Sequence, residues 1–183
     1  MKGLLSVAII AVVIITLVII FANPTPLHNG VANTMNTLTL KSSAFEHNGE
    51  MPSQYTCDGE NISPPLEISG APEETESFAL IVDDPDAPGG VWDHWLAWNI
   101  PEDTAVIEEG VAPPGKAGTN SFGKTSYGGP CPPSGTHRYF FKLYALDSKL
   151  DIHSESPKNV LEGAMKGHIL EQAKLVGLYR RSN

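Results

Sequence analysis

The stretch GGPCPPSGTHRYFFKLYAL, residues 128–146, decides the fold class. Its first half is too rich in glycine and proline for regular structure, whereas its second half alternates in the manner of a β-strand. Successive side chains of a strand point to opposite faces, so one face carries His137, Tyr139, Phe141, Leu143 and Ala145. The stretch therefore predicts a strand over Thr136–Leu146, preceded by a rigid loop that can place backbone and side-chain groups around a cavity mouth.

Further segments have the length and pattern of strands. They are Thr37–Lys41, Leu66–Ile68, Ser77–Asp83, Trp92–Ile100 and Lys174–Arg181. The apolar run Ser77–Asp83 predicts a central strand covered on both faces. Helical signals come only late, with one helix predicted from Pro157 to near Gly167 and a second short one over His168–Ala173. This order predicts an all-β-dominated antiparallel sandwich with one or two short C-terminal helices.

The N-terminal segment predicts targeting or anchoring. An uncharged apolar run, Gly3–Ala22, follows Lys2 and is long enough to cross a bilayer as a helix. Either it is a retained signal-anchor or it is a cleaved signal peptide, whose apolar region is usually shorter. Both alternatives predict an extracytoplasmic domain, membrane-anchored or secreted or periplasmic. We expect this hydrophobic helix in residues 1–23, a flexible tether in 24–35 and one globular domain in 36–183.

Charge and cysteine content exclude some function classes. The formal net charge of −9 argues against sequence-independent binding of nucleic acid, which relies on Lys and Arg neutralising phosphates. Two distant cysteines, Cys57 and Cys131, without a CxxC or HxxxH partner do not make a zinc site. Outside the cytosol they either form a disulfide or remain free thiols. We expect no metal and no cofactor.

Three segments offer polar groups where predicted strands begin or end. They are DDPDAP (83–88), WDHW (92–95) and GGPCPPSGTHRY (128–139). Each group has a structural reading by itself: Asp84 as a turn former, His94 as a core imidazole, Tyr139 as a packed aromatic. Their joint placement favours a site, with His94 close to Asp84 or Asp86. Along Trp92–Ile100, simple alternation predicts two sides of the strand. One side carries Trp92, His94, Leu96, Trp98 and Ile100, and the other carries Asp93, Trp95, Ala97 and Asn99.

Two of these segments resemble a known family. DPDAP followed closely by HW, and then GPCPPSGTHRYFF, resemble the signature segments of the phosphatidylethanolamine-binding protein family, which also contains the Raf kinase inhibitor proteins. YTCDGENISPPLEISGAP and GHILEQAKLVGLYRR resemble its bacterial and archaeal branch. The resemblance runs from about Met35 to Arg181, which is nearly the whole globular domain.

The resemblance implies a β-sandwich with a small cavity at one end that holds phosphate or the phosphoryl head of a ligand. The residues that match the motifs at this cavity are Asp84, His94, His137 and Tyr139 as lining, Gly128 and Gly129 as backbone contributors, and Pro88 and Trp92 at the rim. Imidazole, phenol and N–H groups all donate to anionic oxygens, and an aspartate can orient a histidine. By alternation Arg138 points to the opposite face, and we expect it to brace the loop or the sheet and not to touch the ligand.

The leading functional prediction is a non-enzymatic protein that binds a phosphorylated or carboxylated ligand, or modulates a protein partner. Proteins resembling it have been assigned as inhibitors of kinases or serine proteases. The alternative is a hydrolase that uses Asp84 with His94 or His137 as acid and base groups. The sequence contains neither a GxSxG nucleophile elbow nor a metal cluster, and this disfavours the hydrolase.

Overall fold

The computed structural model of the chain describes residues 37–181, and these form a mostly β fold with one α-helix. The strands are β1 (Thr39–Lys41), β2 (Gly49–Glu50), β3 (Leu66–Ser69), β4 (Ser77–Asp84), β5 (Trp92–Pro101), β6 (Val106–Ile107), β7 (Lys116–Ala117), β8 (Thr136–Leu146) and β9 (Ile169–Arg180). The helix α1 spans Lys158–Met165, and a short 3-10 helix spans Ser53–Tyr55. The predicted all-β-dominated class is confirmed.

The expected hydrophobic helix in residues 1–23 and the tether in 24–35 lie outside the described residues. Within residues 37–181, no helix is both long and apolar enough to cross a membrane.

The strands form two sheets. The larger has the order β2-β9-β8-β4-β5-β7, and the smaller has the order β1-β3-β6. Neighbouring strands pair antiparallel, except that the two-residue β2 runs parallel to β9. The longest ladder joins β8 to β9 and leaves β8 in the interior of the large sheet, between β9 and β4.

Both faces of the large sheet are covered by apolar side chains. One face shares a cluster with the small sheet, in which Leu80 and Phe141 lie with Leu40 and Leu66. The opposite face packs against α1. Every residue of β4 is buried, as expected for a central strand covered on both sides. Because β4 and β8 are packed on both faces, they hold in fixed positions the loops that leave one end of the sheet.

The chain after α1 differs from the prediction. Sequence analysis placed a second short helix at His168–Ala173, and this was wrong: β9 begins at Ile169 and pairs with β8 along its whole length. Leu, Glu, Gln and Ala in this segment favour a helix locally. The long apolar strand β8 needs a hydrogen-bonded neighbour, and pairing with it outweighs that weak preference.

A one-residue bulge in β5 changes the direction of His94. Val82 lies opposite Trp95 and the next residue, Asp83, lies opposite Asp93, which leaves His94 as the extra residue. Trp95 belongs to the cluster beside the small sheet, and His94 packs against Tyr139 of that same cluster. The predicted grouping of His94 with Leu96 was therefore wrong, because alternation fails where two residues oppose one. The grouping of Ile100 with Trp98 was wrong as well, because a second register shift, opposite Phe78–Leu80, places Ile100 in the cluster beside the small sheet.

Candidate ligand-binding site

A cavity of about 300 Å³ opens at one end of the large sheet. It is lined by Asp84, Ala87, Pro88, Trp92, His94, Phe122, Cys131, Pro133, His137 and Tyr139. Six of the eight residues predicted for the site thus surround one void. Two larger grooves, of about 590 and 810 Å³, lie elsewhere and contain none of the predicted site residues. Because residues of all three predicted segments converge on it, the smaller cavity is the candidate site.

Asp84 and His137 form a buried hydrogen-bonded pair on the cavity wall. Asp84 ends β4 and His137 is the second residue of β8, and His137 Nδ1 lies 2.7 Å from Asp84 Oδ2. The other oxygen, Asp84 Oδ1, accepts the backbone N–H of Asp86 at 2.8 Å. These bonds fix the carboxylate and the ring, and Nε2 of His137 has no protein hydrogen-bond partner among the described residues.

His94 is held by the loop that precedes β8. Its Nδ1 lies 2.5 Å from the carbonyl oxygen of Gly128, and because a carbonyl only accepts, Nδ1 carries the proton. Burial lowers the pKa of His94, although the Gly128 carbonyl and the charge of Asp84 oppose this effect. His94 is therefore a neutral ring at neutral pH, with Nε2 as an acceptor.

We expect His94 to make the folded protein sensitive to mild acid. Its pKa is lowered in the folded state, so the unfolded chain, with a histidine pKa of about 6.5, binds the proton first as the pH falls. The free energy of unfolding should then decrease below about pH 6.5, by at most about 1.4 kcal/mol per pH unit from this group. Urea unfolding at pH 7.5, 6.5 and 5.5 should show a smaller loss for His94→Gln than for wild type. The exposed His47→Gln serves as control, and equal losses in wild type and His94→Gln would contradict the prediction.

Tyr139 brings a hydroxyl with no protein partner to the cavity. The residue is 1% exposed, and its Oη is buried without a well-aligned hydrogen bond to any described residue, although the Asp84 carboxylate and the backbone of Cys131 lie close to it. Its ring stands edge-on to His94 at 5.2 Å and stacks on His137 at 6.5 Å. Burial and the nearby charge of Asp84 raise the pKa of Tyr139, so it remains a neutral phenol that can donate. An unmet buried donor costs about 1–3 kcal/mol, which a bound acceptor would recover.

The mouth of the cavity is aromatic and apolar. Trp92 and Phe122 lie edge to face with ring centroids 5.4 Å apart, and Phe122 also packs on His94 at 5.5 Å. Sequence reasoning did not assign Phe122, Ala87, Cys131 or Pro133 to the site. Cys131 and Pro133 lie inside the GPCPPSGTHRY motif and Ala87 inside DPDAP, so the motifs contained their signal. Phe122 lies in a loop with no periodic pattern that could have indicated it.

The two predicted glycines lie behind the lining. The N–H of Gly128 donates to the carbonyl of His94 at 3.1 Å, and the N–H of Gly129 donates to Asn61 Oδ1 at 2.7 Å. A Cβ at position 129 would lie 2.4 Å from the carbonyl oxygen of Tyr55. Only glycine fits here without moving the backbone. Both N–H groups bond to other protein groups. The two glycines therefore hold the loop in place and do not donate to a ligand.

Cys57 and Cys131 form a disulfide, with Cα atoms 5.4 Å apart. The bond ties the cavity loop to the segment after the 3-10 helix, where Cys57 also donates its N–H to the carbonyl of Pro130 at 3.0 Å. No group of three potential metal ligands occurs within the described residues.

Arg138 braces the DPDAP turn from outside the cavity, as predicted. Its Nε and Nη2 donate to the two carboxylate oxygens of Asp86 at 2.9 and 2.7 Å, and its N–H adds a third bond at 3.0 Å. The guanidinium lowers the pKa of Asp86 to about 2. The turn that carries Ala87 and Pro88 is therefore anchored to the start of β8.

The sequence matches the family model of the phosphatidylethanolamine-binding protein over residues 41–180. The chain belongs to the phosphatidylethanolamine-binding protein family. Over 150 residues it is 54% identical to a UPF0098 protein of Methanothermobacter thermautotrophicus, an alignment that covers 79% of this chain and 99% of the relative.

Two solved structures extend the family likeness to the fold. A putative phosphatidylethanolamine-binding protein homologue from Chlamydia trachomatis, CT736, is 39% identical with a TM-score of 0.78, over 80% of this chain and 99% of that chain. Escherichia coli YbcL, described as a new member of the mammalian family, is 31% identical with a TM-score of 0.74, over 79% and 99% of the two chains. The resemblance read from the motifs is confirmed at the level of family and fold.

Proposed function

We propose that this family member is a non-enzymatic binding protein whose cavity holds the phosphoryl or carboxylate group of a small organic ligand. The observation that carries the proposal is the buried, unpartnered hydroxyl of Tyr139 beside His137 in the same cavity. Alternation along β8 points both side chains into the void. The Tyr139 hydroxyl can donate to one oxygen of an anion, and Nε2–H of His137 can donate to a second oxygen when the ring is an imidazolium, because its Nδ1–H already donates to Asp84 Oδ2. Neutral His94 adds an acceptor for a protonated oxygen of a monoanion.

The charges around the cavity favour a weakly charged anion over a highly charged one. Asp84 repels an anion, and its hydrogen bond to His137 directs the imidazole so that Nε2 remains for the ligand. Among the residues that the structure describes, no Lys or Arg lines the cavity, and Arg138 is engaged by Asp86. Apolar walls of Trp92 and Phe122 suit an organic group attached to the anion.

Titration of the protein with phosphate and phosphorylethanolamine tests the proposal. We expect heat on binding in wild type and a loss of affinity of about 10-fold or more in His137→Ala, since a hydrogen bond to a charged group contributes about 1.5–3 kcal/mol. Tyr139→Phe should weaken binding several-fold. His168→Ala is the matched control, because this exposed histidine pairs with Asp147 away from the cavity.

Two results would count against an anion site. If the wild-type protein gives no binding heat with either phosphate or phosphorylethanolamine, the proposed function is wrong. Equal affinities in wild type and His137→Ala would show that the anion binds elsewhere.

We further propose that the two sheets form the expected sandwich and that the domain works outside the cytoplasm, membrane-anchored or secreted. Sharing of one apolar cluster by both sheets supports the first proposal, and the Cys57–Cys131 disulfide supports the second. A kinase or serine protease inhibited by this chain is a further proposal. It predicts that inhibition is lost when the exposed rim residue Trp92 is replaced by alanine, and enzyme assays with that variant test it.

The hydrolase alternative is supported by one observation, the 2.7 Å contact between Asp84 and His137, since an oriented imidazole can act as a general base. Within residues 37–181, the cavity lining contains no serine or threonine and its one cysteine is disulfide-bonded, so water would have to be the nucleophile. Turnover of phosphate monoesters or carboxyl esters that disappears in His137→Ala would favour this alternative.

A further inference from the structure

Asn120 is a buried polar residue in the loop between β7 and β8, and it does not line the cavity. Its Nδ2 donates to the carbonyl of His94 at 3.0 Å and to the carbonyl of Ser126 at 2.8 Å. Its Oδ1 accepts the backbone N–H groups of Phe122 and Lys124, each at 3.0 Å. Two donated and two accepted bonds use the whole hydrogen-bonding capacity of the amide.

These four bonds close the loop on itself and tie it to β5. The side-chain amide of Asn120 bonds to the backbone of Lys124 and Ser126 within the loop, and also to the backbone of His94 in β5. Phe122 projects from this closed loop and covers the ring of His94. Because Gly128 has no side chain, the ring of Phe122 has room there: a Cβ at Gly128 would lie 2.6 Å from it.

We propose that Asn120 is a positioning residue for the cavity, which holds Phe122 against His94 so that the cavity keeps its wall and His94 is shielded from water. The inference concerns the shape and the protonation of the site, so it stands or fails separately from the identity of the ligand. Its chemical basis is that no other side chain bonds both to the backbone of Phe122 and to that of His94 within residues 37–181.

The surroundings of His94 make its protonation a sensitive readout. The carboxylates of Asp84, Asp83 and Asp93 and the carbonyl of Gly128 favour the charged ring, and burial opposes them. Tyr139 and His137, the other titratable groups nearby, share the cavity. Burial outweighs the carboxylates, and Phe122 supplies part of it. Loss of the Phe122 wall should therefore let water reach the ring and raise the pKa of His94 toward that of an exposed histidine.

The experiment is an NMR titration of His94 without ligand in wild type, Asn120→Ala, Phe122→Ala and the double variant. We expect both single changes to raise the midpoint for His94. The double variant should titrate like Phe122→Ala, because Asn120 acts through the Phe122 ring. Thr125→Ala, an exposed change in the same loop, should titrate like wild type.

A folded Asn120→Ala protein that titrates like wild type would overturn the proposal. If that variant does not fold, Asn120→Ser takes its place, since a hydroxyl cannot donate to both carbonyls. Phe122→Ala changes a half-exposed ring and should fold, and an unchanged His94 midpoint in it also overturns the proposal. Absence of phosphate binding in wild type would remove the proposed function and leave this titration valid.

Discussion

Replacing Cys57 and Cys131 together with serine is expected to lower the free energy of unfolding by about 4 kcal/mol. The two cysteines are 74 residues apart, so their bond removes many conformations from the unfolded chain. The folded loop keeps other contacts, including the bond from the Tyr127 hydroxyl to the carbonyl of Tyr55 at 2.9 Å. We therefore expect the variant to fold with the same cavity and to unfold at a temperature lower by roughly 10 °C.

Urea unfolding of the variant and of wild type, both in oxidising buffer, measures this loss. Wild type treated with a reductant provides the control, since it should give the same value as the double serine variant. A loss below about 1 kcal/mol would contradict the prediction and would mean that the unfolded chain gains little freedom from breaking the bond.

Asp83→Asn is expected to destabilise the protein by about 3 kcal/mol, because it breaks a buried ionic cluster. Asp83 is 1% exposed, and its Oδ2 accepts from the ammonium groups of Lys142 and Lys158, each at 2.7 Å. Lys158 also reaches Asp93 at 2.9 Å, which joins the start of α1 to the sheet. Without the charge of Asp83, Lys142 loses its carboxylate partner and Lys158 keeps only Asp93.

The matched control for Asp83→Asn is Asp147→Asn. Asp147 accepts from His168 Nδ1 at 2.8 Å, and both side chains are more than two-fifths exposed, so this pair should contribute about 0.5 kcal/mol or less. Urea unfolding at pH 7.5 should separate the two variants clearly. Equal destabilisation by both changes would show that burial of Asp83 does not determine its contribution.

The long strands were predictable because their side chains must match a sheet covered on both faces. Alternation over Thr136–Leu146 and the apolar run from Ser77 gave β8 and β4 almost to the residue. The motif residues at their ends met in one cavity because antiparallel pairing brings the end of β4 beside the start of β8. The strands of two residues each, β2, β6 and β7, have no pattern long enough to detect.

Features that depend on distant contacts could not be read from the sequence. The bulge at His94 is defined by the pairing register with β4, and nothing within WDHW indicates an extra residue. Phe122 reaches the cavity because its loop folds back on β5, where Asn120 bonds to His94 and Ser121 bonds to Asp93. His168–Ala173 has a helical composition, but the segment from Ile169 onward pairs with β8. Helix propensity does not take such a distant contact into account. Each difference reflects a tertiary contact that outweighs a local rule.

The extra residue in β5 has a consequence for any attempt to re-engineer the site. Deleting Asp93 would remove the irregularity at this point and turn the imidazole toward the layer that holds α1. Insertions are better placed at residues 89–91, which do not line the cavity, because added length there leaves the pairing register of both strands unchanged. Transplanting this cavity onto another scaffold would therefore require copying the irregular strand together with its side chains.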